Sequence, residues 1–444
     1  MVSLVSLKPM KHFFSVLVVC IACLGISVSF AQNFDDLRSA GNGIDVNADG
    51  RVIPLSPEKS EAIGKMMENV LEPMPENMER KVALRKISLK KLDAQVKEIV
   101  EQAEFLPDSI RYLGGLTSID YIVAVPDEND ILLMGPAEGW RTDAAGNVVG
   151  IQSGLPVLAF EDFLTALRLW NQPTAPRTIV CAIEPTQETV AKLAKLHQQY
   201  TNINANNVDA YFAALEEVNG DSSITLSGIS ASSRFARVLV AADFKMKRIA
   251  LGLEPSQARN IPSYVGLISV SRPNISPQFW LAPEYAATTH DSKKLTWRLG
   301  ELKIRASSRA SGSMDRAAVN WCRSLEENYD SLAKAQPVFG ELRNNMQLAL
   351  AAALIRQENL LQKSDCKLTI LLDEKKLKMV DYPAPKSVAY RPVKSQNGYS
   401  TVVAFGGIEM NPLGALRNNV KLDNRIDSER GRLIQTVGND WWSP

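Results

Sequence analysis

Chemistry in this chain would have to be built with few histidines. Setting aside His12 in the opening segment, His197 and His290 remain. His197 sits mid-helix in KLAKLHQQY, with no acid or second histidine at helical spacing. His290 lies in the polar stretch TTHDS. Both read as surface residues, whereas zinc sites and His-dependent triads need histidines in specific company. H-E-x-x-H, G-x-S-x-G and the P-loop pattern are absent, and no G-x-G-x-x-G follows a strand. These absences argue against the common zinc peptidases, serine hydrolases and nucleotide enzymes.

Three patterns remain. Asp45, Asn47 and Asp49, followed by Gly50, match the first half of a calcium loop. The match fails further on: Ser56 stands where the loop needs Glu, and Pro54 and Pro57 spoil the helix that should come next, so a plain turn is the simpler reading. Glu138, Asp143, Asp162, Asp243, Glu254 and Glu284 fall near expected strand ends or loops, where two carboxylates could serve glycosidase-type catalysis. Nothing in the sequence pairs any two of them. The turn Gly135-Pro136-Ala137-Glu138-Gly139-Trp140 is a candidate ligand loop, because Gly135 and Gly139 permit close backbone approach beside Glu138 and Trp140. Trp140, Trp280, Trp297, Tyr264 and Tyr285 could line a groove, though aromatics at strand positions are more often core.

The first 31 residues read as a cleavable export signal. Lys8 and Lys11 precede an apolar run from Phe13 to Val28, about 16 residues where a span needs roughly 20. Ser29 and Ala31 put small residues at the −3 and −1 positions before Gln32. A retained anchor, or lipid attachment at Cys23, are the alternatives. Cys20 and Cys23 lie inside the apolar run and are no redox motif. Removing the segment takes two lysines and no acids, so formal charge goes from +1 to about −1. That balance gives no pull toward nucleic acid, and no later stretch is a stable transmembrane anchor. Cys181, Cys322 and Cys366 remain, an odd number, with Cys322–Cys366 the easiest pair to imagine. At 45% hydrophobic the chain can bury a sizeable core.

These residues must be positioned by elements in blocks. Residues 32–80 read as an N-terminal linker with a short helix at 57–71, and 82–104 as an amphipathic helix. A first α/β-like domain spans 81–219. It holds strands at Ile119–Val125, Asp130–Gly135 and Thr178–Ile183, a hairpin over 141–151, and helices at Phe160–Trp170 and Glu188–Tyr200. A second mixed domain, 220–312, has strands at Arg237–Ala242, Gln278–Tyr285 and Thr296–Arg305. Residues 313–412 read as a helical hairpin, Asp315–Ala335 and Val338–Gln362, followed by strands at Cys366–Leu372 and around Thr401–Met410. Residues 413–444 read as a flexible polar tail.

Several segments in this order resemble exported planctomycete proteins carrying the domain of unknown function 1598. They are Leu113–Leu116 with Asp120–Ile122, Gly135–Trp140, Cys181–Thr186, Ala242–Lys247 running to Glu254, Phe279-Trp280 with Pro283–Tyr285, Pro337–Phe339 with Leu342–Asn344, and Gly406–Glu409. The resemblance covers roughly 82–412. It implies export and one shared architecture, and brings no catalytic residues.

The expected fold is α+β, mixed and mostly antiparallel sheets with packed helices and a C-terminal helical hairpin. A partly parallel α/β sheet is the rival. The expected function is a non-enzymatic exported module of the cell envelope, in the periplasm, at the cell surface or outside the cell. It would serve as a structural or interaction module, with an unknown envelope component as partner and no cofactor. A carboxylate-dependent envelope hydrolase and a small-ligand-binding domain are the alternatives.

Overall fold

A computed structural model describes residues 43–443, apart from 202, 205, 219, 270–273, 310–314, 390, 396–399, 436, 437 and 439. The export segment 1–31 therefore lies outside the described residues, as does part of the 32–80 linker.

The fold is α+β, built on two large mixed sheets with most pairs antiparallel. The first has eight strands in the order Ile44–Val46, Arg51–Pro54, Ser387–Ala389, Asp221–Ser227, Ile179–Pro185, Phe405–Met410, Gln278–Tyr285 and Leu302–Arg309. The second has seven: Val420–Leu422, Thr288–His290, Thr296–Arg298, Tyr121–Val125, Asp130–Ala137, Val82–Ser88 and Trp442–Ser443. Parallel pairing joins Gln278–Tyr285 to Phe405–Met410, Ser387–Ala389 to Arg51–Pro54, and Thr288–His290 to Val420–Leu422. Each large sheet thus draws strands from segments far apart in the chain. Among the described residues no helix is long and apolar enough to cross a membrane.

Four helices matter for the site: α1 (Leu89–Glu101), α2 (Phe160–Asn171), α3 (Arg234–Ala250) and α4 (Pro337–Gln357). α3 lies on the first sheet against Ile179–Pro185 and Phe405–Met410, and α4 packs against both α2 and α3. α3 and α4 are buried nearly all round. α4 carries no polar stripe to reveal its period, whereas α3 spaces Arg234, Arg237, Lys245 and Arg248 along one face.

The largest difference from the expected elements lies in α3. The run RVLVAA at Arg237–Ala242 is the middle of α3, capped by Ser233, which accepts from the Ala236 amide. A short apolar run does not distinguish a buried strand from a buried helix. Residues 82–104 divide at Ser88 into the strand Val82–Ser88 and α1, Ser88 being the helix cap. Thr296–Arg305 is broken at Gly300, and its two halves join different sheets. So do Thr401–Val402 and Phe405–Met410.

The hairpin over 315–362 takes another form. Its first arm divides at Asn328 into Arg316–Glu327 and Tyr329–Ala335. The shorter piece packs on the start of α4, with Tyr329 Oη donating to the Phe339 carbonyl at 2.8 Å. Cys366–Leu372 is no strand, because several of its amides go to the side chain of Asp93 instead. The expected flexible tail is folded over most of its length. Pro412–Asn418 and Arg425–Leu433 are helical, and Trp442 pairs with Ile87. All three described cysteines are free and buried, so Cys322 and Cys366 do not pair.

Candidate functional site

The sequence-selected acids are mostly occupied by structural work. Asp243 takes Lys247 Nζ on both oxygens at 2.6 Å, inside the core. Glu254 binds Lys245 and Arg248, and Glu284 binds Arg305. Asp143 holds the amides of Ala145 and Asn147 in the tight turn that Gly146 closes with a φ of +83°. Glu138 is buried and accepts from the amides of Gln152 and Ser153.

The Gly135–Trp140 loop faces the protein's own chain. A Cβ on Gly135 would lie 2.0 Å from the Ser118 carbonyl, and one on Gly139 2.9 Å from the Glu79 Cα. Trp140 is buried with its ring 5.6 Å from that of Tyr112. Asp45 is bound by Lys59 Nζ at 2.6 Å, and Asn47 Oδ1 accepts the amides of Asp49 and Arg51. Asn47 is thus used to make the turn and Asp45 to hold Lys59, and among the described residues no cluster of three or more His, Cys, Asp or Glu could hold a metal ion. His197 meets Tyr211 Oη at 3.0 Å, while His290 is buried against Trp297 rather than at the surface. Trp140, Trp297 and Tyr264 are likewise core.

Asp162 is the exception. It stands in the first turn of α2 beside Glu161, where the helix N-terminus favours negative charge. Arg234, at the first position of α3, donates to Asp162 through one terminal nitrogen and to Glu341 of α4 through the other. A cation at a helix N-terminus is poorly placed with respect to the helix dipole, and the two carboxylates compensate it. Burial pushes the Asp162 carboxyl up to about 6, helped by Glu341 and opposed by Arg234. Burial alone would lower the Arg234 guanidinium, but Asp162 and Glu341 hold it above its ordinary range. Tyr382 Oη donates to Glu161 at 2.8 Å, and burial, together with that carboxylate, holds the phenol well above its usual range. Three helix starts and one coil segment thus converge on five coupled side chains.

These groups border a cleft of about 390 Å³. Phe105, Tyr112, Phe160 and Met379 supply its apolar wall, with Glu161, Arg234 and Glu341 among the lining polar groups. Phe105 is 67% exposed at the rim, an unusual position for a phenylalanine. An apolar cavity with a few convergent polar groups is the usual form of a small-molecule site. A second depression, about 800 Å³, is lined by charged side chains already tied together, as in Arg343–Asp330 and Arg305–Glu326.

Lys376–Val380 and Tyr382, which follow the expected strand Cys366–Leu372, close one side of the cleft. The root of this segment is held from both sides. Asp93 of α1 accepts from the amides of Thr369, Ile370 and Leu371 and from the Thr369 hydroxyl, at 2.8–3.0 Å. Arg168 of α2 donates to the carbonyls of Leu371 and Leu377, each at 2.8 Å. With its amides and carbonyls engaged by side chains, Cys366–Leu372 has no ladder to join. Glu161, Arg234, Glu341 and Tyr382 carried no sequence signal. Each is an ordinary polar residue, and only the convergence of α2, α3 and α4 brings them together.

Residues 181–264 match the family model described as "Protein of unknown function (DUF1598)". The matched stretch begins in the strand Ile179–Pro185 and includes the whole of α3, with Arg234, Asp243 and Lys247. No curated protein and no solved structure matches the chain.

Proposed function

We propose that this is an exported protein of the cell envelope that binds a small, partly apolar ligand in the cleft beside Lys376–Tyr382. The observation that carries the binding reading is the cleft: apolar walls on one side, a fixed polar cluster on the other, and an exposed phenylalanine at the mouth. The opening segment, with its lysines, apolar run and small residues before Gln32, supports export. So does the resemblance to exported planctomycete proteins. Binding rather than turnover fits the Arg234 cluster, since each of its carboxylates already accepts a hydrogen bond.

Hydrolysis by paired carboxylates is the second reading, favoured by the Asp162 carboxyl titrating near 6 beside Glu341. Against it, Asp162 is almost fully buried behind Arg234 and is not among the residues lining the cleft. A thermal-shift screen with a library of small organic molecules tests the binding reading, with Met379→Trp as the blocked control. Hits that lose their shift in the variant are expected, and a library without hits would contradict it. Mass spectrometry of protein from the producing cell tests export, with a mature N-terminus at Gln32 expected and an intact Met1 counting against it.

A further inference from the structure

A third cavity, of about 420 Å³, lies against the first. Lys378, Met379 and Val380 line both, so three residues form the partition between them. The ends of this partition are anchored. On one side Arg168 holds the Leu377 carbonyl; on the other the Tyr382 amide donates to the Ser232 carbonyl at 2.9 Å, and Ser232 Oγ donates to Asp381 at 3.0 Å. Between the anchors, no hydrogen bond holds Lys378, Met379 or Val380 among the described residues. Main-chain groups without protein partners must find them in water or in a ligand.

The two cavities differ in chemistry. The first has an aromatic and aliphatic wall, with Phe105, Tyr112, Phe160 and Met379, facing the Arg234 cluster. The other carries Ser230, Ser232, Ser233, Thr165 and Gln172 beside two cations, Arg168 and Lys378, and two anions, Glu374 and Asp381, whose formal charges cancel. Arg168 is taken up by the Leu371 and Leu377 carbonyls and Asp381 by Ser232, and hydroxyl and amide groups both donate and accept, so a wall of balanced charge suits a neutral, hydroxylated partner better than an ion. We propose that the cavities are two halves of one site that takes a non-ionic amphiphile across the Lys378–Val380 strap, its apolar tail in the first half and its hydroxyl-bearing head in the second. This rests on the binding reading of the first cavity and names the ligand class.

Octyl glucoside, used below its micelle concentration, is the full-length probe, and benzyl alcohol is the probe for the first half alone. Calorimetric titration of the full chain is expected to show both binding. Thr165→Trp, which fills the second half, is expected to weaken octyl glucoside at least tenfold and leave benzyl alcohol unchanged. Gln172→Trp, at an exposed position, repeats the test should Thr165→Trp fail to fold. Benzyl alcohol binding while octyl glucoside does not bind, or binds equally well in the variants, would overturn the two-part site and leave the first cavity standing. Neither probe binding would overturn the binding reading as well.

Discussion

Asp162 and Asp93 show how a buried carboxylate is tolerated in two ways. Asp93 is met by four donors, which satisfy its oxygens and tie α1 to the segment below the strap. Asp93→Ala would leave those amides buried without acceptors and is expected to cost about 2–4 kcal/mol. The urea midpoint should fall accordingly, and an unchanged midpoint would mean that water replaces the carboxylate. Asp162 is less well served: its Oδ1 has no hydrogen-bond partner. Its folded carboxyl titrates near 6, above the ordinary value. Between about pH 4 and pH 6 the folded protein therefore binds more protons than the unfolded chain, so this residue's contribution to stability is present at low pH and lost as pH rises through 6. The swing is at most about 3 kcal/mol. Since burial also raises the Asp243 carboxyl to about 6, the informative quantity is the difference between the native protein and Asp162→Asn. Urea titrations at pH 4.5 and 6.5 should give the variant the smaller loss.

Elements were legible in the sequence where one face stays wet. The helix Phe160–Asn171 and the strand Gln278–Tyr285 show it, while the strand pair Tyr121–Val125 and Asp130–Ala137, buried on both faces, is legible instead as two short apolar runs separated at Pro126. α3 was not legible, because the short run Arg237–Ala242 within it fits a buried strand as well as a buried helix, and Cys366–Leu372 was not, because side chains from α1 and α2 took over its backbone partners. The candidate site shares that difficulty: Asp162 is one of six acids that the sequence does not rank, and its partners Arg234 and Glu341 lie 72 and 179 positions further along the chain, with no local pattern to link them. α3 itself depends on its cap. Ser233→Ala removes an acceptor for the Ala236 amide and is expected to cost about 1 kcal/mol, measured by chemical unfolding. Where Phe405–Met410 passes between two neighbours, Gly407 leaves no room for a side chain: an added Cβ would lie 1.9 Å from the Cys181 carbonyl. Gly407→Val should destabilise by more than about 3 kcal/mol or prevent soluble expression, and a variant of native stability would contradict the pairing of Gly407 with Ala182 across the two strands.

At the scale of the molecule, the sheets interlace segments from both ends of the chain. Ile44–Val46 and Phe405–Met410 share one sheet, and Val82–Ser88 pairs with Trp442–Ser443 in the other. Truncation after residue 434 would remove Trp441 and Trp442, together with the hydrogen bond that the Ser88 amide donates to the Trp441 carbonyl. It is expected to lower stability by about 1–3 kcal/mol, which the urea midpoint of the shortened chain would show. The same interlacing fixes the cleft, because its walls come from α1, α2, α3, α4 and the strap between α4 and the Ser387–Ala389 strand. The proposed function requires that this cleft admit a ligand. Methionine-methyl NMR during titration with benzyl alcohol tests this most directly. Met67 and Met379, which line the cleft, should shift in a saturable manner while the core residues Met246 and Met346 stay in place. Silent Met67 and Met379 methyls, or equal drift of all four, would contradict it.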